Sequence, residues 1–201
     1  MDLSLLGERR FECQQSGHCC SNSNILVTLT YKDLFQLFLL LDKDFRKLLQ
    51  KISFYKLTQS NHVLQEQMVL EPIQTSEGDI IPGLRKINDS CTFYAHPNCL
   101  IYPKRPMSCR SYPLAYIKEK QKRETKIICT WVKNSQKTCP GIGKGVVLSH
   151  RFIQDLGDKY LQEIETHNQV VRELNKEALN GRPLTARGAL WVLIAYGEKK
   201  T

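Results

Sequence analysis

No run of apolar residues in this chain approaches the roughly 18 needed to cross a bilayer. The longest, "LFQLFLLL" at Leu34–Leu41, is far too short and contains Gln36. The opening "MDLSLLGERR" carries an acid at position 2 and no apolar stretch, so no secretory leader is expected. These absences argue against a membrane protein and lead to the expectation of a cytoplasmic one. Internal repeats and low-complexity linkers are missing too, which suits a single domain at 201 residues. Also missing are the paired C-x2-C knuckles of an ordinary zinc finger. "GIGKG" fails the phosphate-loop spacing, because Lys144 is followed by Gly145. No Ser–His–Asp or Cys–His pattern of a nucleophilic enzyme stands out.

The composition is that of a globular protein, with 41% hydrophobic and 24% charged residues. The net charge is +9. A basic balance can attract nucleic acid or acidic surfaces. Here the cations are spread along the chain, and the one dense run, "KEKQKRETK" (Lys118–Lys126), is broken by Glu119 and Glu124. It reads as a solvated hairpin or loop and lacks the interleaved aromatics on which bases stack.

Eight cysteines are present: Cys13, Cys19, Cys20, Cys91, Cys99, Cys109, Cys129 and Cys139. Three readings compete. Disulfides are disfavoured in a reducing cytoplasm, with hyperthermophiles as the known exception. Scattered structural thiols fit poorly with the local grouping. Metal ligation is favoured, because thiolate selects zinc, Cu(I) or iron–sulfur clusters. Four thiolates complete one zinc site or one cluster, so eight could complete two. The loop from Cys20 to Cys91 costs about 4 kcal/mol plus a constant to close. A structural metal supplies on the order of 10–16 kcal/mol, so it could staple this part of the fold. In an extended segment Cys19 and Cys20 would point to opposite sides and could serve different sites.

The motifs resemble those of a known family. "FECQQSGHCC" (Phe11–Cys20) and "CTFYAHPNCLIYPKRPMSCRSYP" (Cys91–Pro113) are similar to the boxes of the YkgJ-type cysteine cluster proteins, which carry a CxxCxxCC motif. The second block supplies Cys99, Ile101, Tyr102, Arg105, Pro106, Cys109, Arg110, Tyr112 and Pro113. "CPGIGKG" (Cys139–Gly145) extends the likeness, which spans roughly residues 11–145. The resemblance implies a zinc- or iron-chelating protein, with an iron–sulfur cluster (4Fe–4S) favoured over zinc. A related branch is associated with lysine N-methylation of flagellin. At Ser16 the chain departs from the family box, which has its second cysteine there. Cys129, His18 or His96 could substitute.

Arg105 and Arg110 flank Cys109. As cations beside thiolates they could offset negative charge from outside the coordination shell. The glycines after Cys139 would let backbone N–H groups approach its sulfur, which tunes a cluster's potential.

A coarse pass along the chain places these motifs. "NILVTLT" (Asn24–Thr30) reads as a strand. Thr30 with Asp33 three residues on reads as a capping box for a helix through "YKDLFQLFLLL". A second helix should start near Asp42. Val63–Glu71 and Ile80–Ile87 read as short strands, with "EGD" and "PG" as turns. Four prolines make Cys91–Pro113 loop-rich, with a short helix after Arg105. "LAYIK" and "TKIICTWV" read as a hairpin carrying Cys129 and Trp131, the latter a core residue. From Leu148 helical spacing takes over, with Gly157 a weak point and Thr185 capping a final helix.

The expectation is therefore an α+β fold. It has a small loop-rich, metal-stapled cysteine core, short strands and hairpins, N-terminal helices and a C-terminal helical extension. Residues 1–147 would form the metal-binding part and 148–201 a buttress packed on it. The expected function is metal binding through the eight cysteines, with a possible electron-transfer role and a redox or protein partner not identifiable from sequence. The alternatives are a zinc-stabilised module binding nucleic acid or protein, and a lysine-modifying enzyme.

Overall fold

The computed structural model describes residues 9–22, 24–57, 69–121 and 124–200. The opening segment 1–8, His62 and the expected strand over 63–68 lie outside them.

The fold is α+β, as expected. Its elements follow local chemistry closely. Strand β1 is Arg10–Phe11. Helix α1 spans Tyr31–Leu40 and starts at the expected capping box. The Asp33 backbone N–H donates to Thr30 Oγ1, and the Thr30 N–H donates to Asp33 Oδ2, both at 3.2 Å. Helix α2, Phe45–Lys51, is capped by Asp44, two residues later than expected.

Strands β2 (Ile52–Lys56), β3 (Ile73–Thr75) and β4 (Gly78–Leu84) form a sheet in the order β2-β4-β3. Here two expectations are corrected. "PG" is no turn: Pro82 and Gly83 lie inside β4, opposite Phe54 and Ser53. Pro82 is tolerated because a strand residue's N–H and C=O share one edge, and its carbonyl faces away from β2, accepting from the Leu29 N–H at 2.9 Å. "NILVTLT" is not a full strand. It runs along the edge of β4 that β3 leaves uncovered and makes one bridge, Thr28 to Gly83.

Two miniature hairpins follow: β5 (Lys86–Ile87) with β6 (Ser90–Cys91), and β7 (Tyr94–Ala95) with β8 (Asn98–Cys99). Asn88 and Asp89 both have positive φ, the geometry of a tight primed turn. Helix α3 is Met107–Ser111, after Arg105 as expected. Strands β9 (Leu114–Gln121) and β10 (Glu124–Trp131) form the expected hairpin, with Tyr116 opposite Cys129. A turn of helix, α4 (Ser135–Thr138), leads to β11 (Ile142–Val147), which pairs with β1.

Helix α5, His150–Leu179, runs 30 residues through Gly157 without a break. Gly157 is buried within it. Helix α6, Ala186–Lys200, begins where the Thr185 hydroxyl accepts the Gly188 N–H at 3.1 Å. It packs closely on α1: a Cβ on Gly197 would lie 2.6 Å from Phe35 Cβ.

The buried residues fall into two clusters. One gathers Leu29, Leu34, Leu37, Leu48, Ile52, Ile80, Leu190 and Leu193. The other gathers Ile81, Met107, Leu114, Tyr116, Cys129, Trp131, Ile153 and Ile164. Helix α5 serves both, through Ile153 and Ile164 at one end and Val170 and Val171 at the other. Its asparagines bind loop backbone: Asn168 accepts the Glu71 N–H at 2.9 Å and donates to Val69 O at 2.8 Å. Asn175 does the same for Gln74 and Pro72. Among the described residues, no helix is long and apolar enough to cross a membrane.

Candidate metal centre

Five short pieces of chain bring thiols together, and each has a local reason for its shape. Pairing of Phe11 with Ile142, and the Glu12 N–H donated to Gly141 O at 3.0 Å, set Cys13 beside the Cys139 loop. Gly17 then turns the chain at φ +74°, accepting from the N–H groups of Cys20 and Ser21. Glycine is required here, because a Cβ would sit 2.0 Å from the Tyr94 hydroxyl oxygen. This turn replaces the extended geometry expected for the adjacent cysteines. Cys19 and Cys20 do not point apart: their Sγ atoms are 3.9 Å from each other.

The Cys91 N–H donates to Cys20 O at 2.8 Å, tying β6 to the N-terminal turn. Cys91 lies opposite Lys86, and Cys99 opposite Tyr94. Cys109 rides on α3, whose first N–H, that of Met107, donates to buried Asp33 at 3.0 Å. Cys139 ends α4, where the N–H groups of Gly141 and Ile142 approach its thiol. The glycine-rich stretch thus brings backbone donors to a sulfur, as its composition suggested.

Seven of the cysteines line one cavity of about 260 Å³: Cys13, Cys19, Cys20, Cys91, Cys99, Cys109 and Cys139. All eight are free thiols. Among the described residues, no three His, Cys, Asp or Glu side chains are already gathered as a coordination shell. The thiols surround a space and do not yet converge on a point.

Cys129 stands apart from them. It is fully buried in the second cluster, where its thiol and the Tyr116 side chain hydrogen-bond. Burial pushes its pKa up to about 11. The sequence grouped it with the ligands, but strand alternation sets it with Ile127 and Trp131, both packed in that cluster. Replacing Cys129 with alanine should cost about 1–2 kcal/mol in a denaturant melt, as core truncations do. Metal content, measured on the same preparation, should not change. A fall in bound metal would return Cys129 to the ligand set.

The electrostatics of the seven reflect crowding. Burial raises the pKa of Cys91, Cys109 and Cys139. Cys19 and Cys20 are hydrogen-bonded through their Sγ atoms. The hydrogen bond from Cys20, helped by Arg105 and Lys86, lowers Cys19 to about 7, while Cys20 is pushed up. A soft metal ion is the partner that such a crowded set of thiols fits.

Of the two arginines expected nearby, the structure places one at the cavity. Arg105 lines it and acts on Cys19 and Cys109. Its guanidinium lies 3.9 Å over the Tyr102 ring, and its Nε donates to Tyr102 O at 3.1 Å. Arg110 is exposed and lines an adjoining groove with Cys13, Phe152 and Leu156. The second cation is Lys86, which the sequence reading missed. It is half-buried, it donates to Asn22 O, and burial lowers its pKa. The tight turn in "KINDSC" was the available signal, since it sets Lys86 directly across from Cys91. His18 and Ser16 are exposed at the cavity wall. His96 is exposed against Tyr94, their rings 6.0 Å apart.

A family model described as "CxxCxxCC: Putative zinc- or iron-chelating domain" matches residues 12–140, a span containing all eight cysteines. Comparison with curated proteins and with solved structures gives no match.

Proposed function

The chain belongs to the CxxCxxCC domain family, and we propose that its seven-cysteine cavity holds a thiolate-bound iron–sulfur centre used in electron transfer. The observation that carries this reading is the lining of one cavity by thiols from five separate pieces of chain. An inner set of Cys20, Cys91, Cys99 and Cys109 supplies the four thiolates of one cluster. Cys19 sits between them and an outer pair, Cys13 and Cys139. Seven thiols exceed what one zinc or one cluster takes, so the preference for iron rests on the likeness of the motifs to the YkgJ type.

The centre, when bound, supplies one-electron chemistry. The chain's own groups would set how easily it is reduced. Arg105 and Lys86 offset negative charge, and the two N–H groups on Cys139 do the same on a smaller scale. Both effects favour the reduced state. A cytoplasmic setting keeps the thiols available for metal. Within the family the motifs are most like those of the YkgJ type. The partner would be a redox protein.

Protein purified without oxygen should contain iron and inorganic sulfide in comparable amounts, with a broad visible absorbance bleached by dithionite. Colourless protein with stoichiometric zinc would overturn this reading. Zinc in the inner four thiols would instead make the protein a metal-stabilised module, whose charge of +9 suits an acidic partner. Salt-dependent retention on nucleic acid then separates the two partner classes.

A further inference from the structure

Seven thiols line the cavity, and Cys13 alone among them is exposed. It stands where the cavity meets the adjoining groove, a hollow of about 470 Å³. Phe11, Cys13, Tyr112 and Leu114 line both. The groove is largely apolar. Val146, Val147 and Phe152 line it and are each more than half exposed. Single exposed apolar residues are ordinary, but three gathered in one groove mark an interaction site. The charges around it are mostly positive. Arg110 is an exposed wall residue, Arg151 is exposed next to Phe152, and Lys144 is exposed two positions before Val146. Arg10 donates to Gly145 O at 3.0 Å on the same strand. The acids are Glu12 in the wall and Asp155 next to Leu156. Arg110 therefore has a place here that the cavity does not give it.

We propose that this groove docks a small acidic electron-carrier protein, with an apolar side chain of the carrier in the groove and its carboxylates on Arg110 and the neighbouring cations. This rests on the reading of the cavity as an iron–sulfur site. The docked carrier lies beside Cys13, the thiol at which the cavity meets the surface. One electron then passes between the carrier's centre and that of the cavity. One centre is oxidised, the other is reduced, and no bond forms or breaks. Redox encounters bury little surface, less than about 1,200 Å². One apolar anchor with a charged rim is contact enough for that. The basic rim also steers an acidic carrier during its approach. A second copy of this chain, at +9, carries the wrong charge for the same face.

The test uses the full chain purified without oxygen. The probe is a plant-type [2Fe–2S] ferredoxin, a small acidic carrier, labelled for fluorescence anisotropy. Wild-type protein should bind it at low salt and release it as ionic strength rises and the Debye length falls to about 8 Å. Arg110→Glu and Phe152→Ser should each weaken binding about tenfold or more, with the visible absorbance of the centre unchanged. Two controls should bind like wild type. Arg187→Glu makes the same change in net charge on helix α6, and Leu179→Ser removes an exposed apolar side chain at the last residue of α5. Equal losses in Arg110→Glu and Arg187→Glu would mean that net charge alone attracts the probe, and would overturn the groove. Full binding by Phe152→Ser would do the same. Wild-type protein that carries the centre yet binds no ferredoxin at low salt overturns the docking and leaves the cavity reading intact; this arm needs no variant to fold. Colourless wild-type protein overturns the iron–sulfur reading and, with it, the redox role of the groove.

Discussion

Replacing Cys109 with alanine should strip the protein of most of its metal and of most of its soluble yield. Cys109 stands at the joint of the structure. Its helix α3 is held from below, by the Met107 N–H on Asp33 and by the Ser108 hydroxyl on Thr28 O at 2.9 Å. Its thiol packs against the first cluster. The segments around it have little holding power of their own. Strands β1, β5, β6, β7 and β8 are two residues long. Isolated hairpins of that size are not stable in water. A metal binding free energy on the order of 10–16 kcal/mol is as large as the whole stability of an ordinary domain. Losing one of the four proposed inner ligands should therefore threaten the fold as well as the site. Cys99→Ala should behave alike, since Cys99 is the cysteine of the β7–β8 hairpin. Metal per polypeptide, read by elemental analysis of the soluble fraction, checks both. Full metal content in either variant would remove that residue from the ligand set. Cys129→Ala, expected to keep its metal, is the matched control.

The contrast between Cys109 and Cys129 shows what sequence can carry. Local rules worked where a few neighbouring residues decide the outcome. The Thr30–Asp33 capping box, the Ala115–Thr130 hairpin, the short helix after Arg105 and the start of the last helix at Thr185 all lie within stretches of fewer than about twenty residues. The ligand list depends instead on which segments meet. Spacing alone treats Cys129 like Cys139, yet alternation along β10 turns its side chain into a core. "NILVTLT" has the composition of a strand, but whether it is one depends on β3 being three residues long and leaving an edge free. Adjacent thiols diverge on extended chain and converge on a turn. That choice was made by Gly17 and by Tyr94, 77 positions away. Arg105 and Arg110 both flank Cys109 in sequence, but Arg105, just before α3, lines the cavity, while Arg110, on α3, is exposed.

Behind the cavity, two buried titratable groups should give the protein opposed pH dependences that single substitutions separate. His167 is 1% exposed and accepts the Tyr31 N–H on Nδ1 at 3.0 Å. Burial keeps it neutral and lowers its pKa to about 4. The unfolded chain takes up this proton below about 6.5, so His167 costs stability as pH falls from about 6.5 towards 4, on the order of 3 kcal/mol in all. Asp33 has the opposite sign. Burial, and then the charge of Glu163, raise its pKa to about 7, against lowering by the Thr30 and Met107 N–H groups. Its unfolded counterpart ionises from about 3.9, so Asp33 costs stability as pH rises from about 4 to 7, on the order of 4 kcal/mol. The two share surroundings: Thr30 Oγ1 donates to Glu163, and Lys32 Nζ lies 3.9 Å from the other Glu163 oxygen. Between pH 4 and 6.5 the two slopes oppose and largely cancel in the wild type. Relative to it, His167→Gln should gain stability as pH falls, and Asp33→Asn should gain as pH rises. Melting temperatures of each variant against wild type at half-unit steps, on protein as purified, read the differences, and any metal term common to both proteins drops out. Slopes of the same sign would overturn one of the two assignments. Differences that stay flat in both variants would show that neither buried group changes its proton affinity on folding. The cap at Thr30 and the helix bearing Cys109 would then be joined through Asp33 by hydrogen bonds alone.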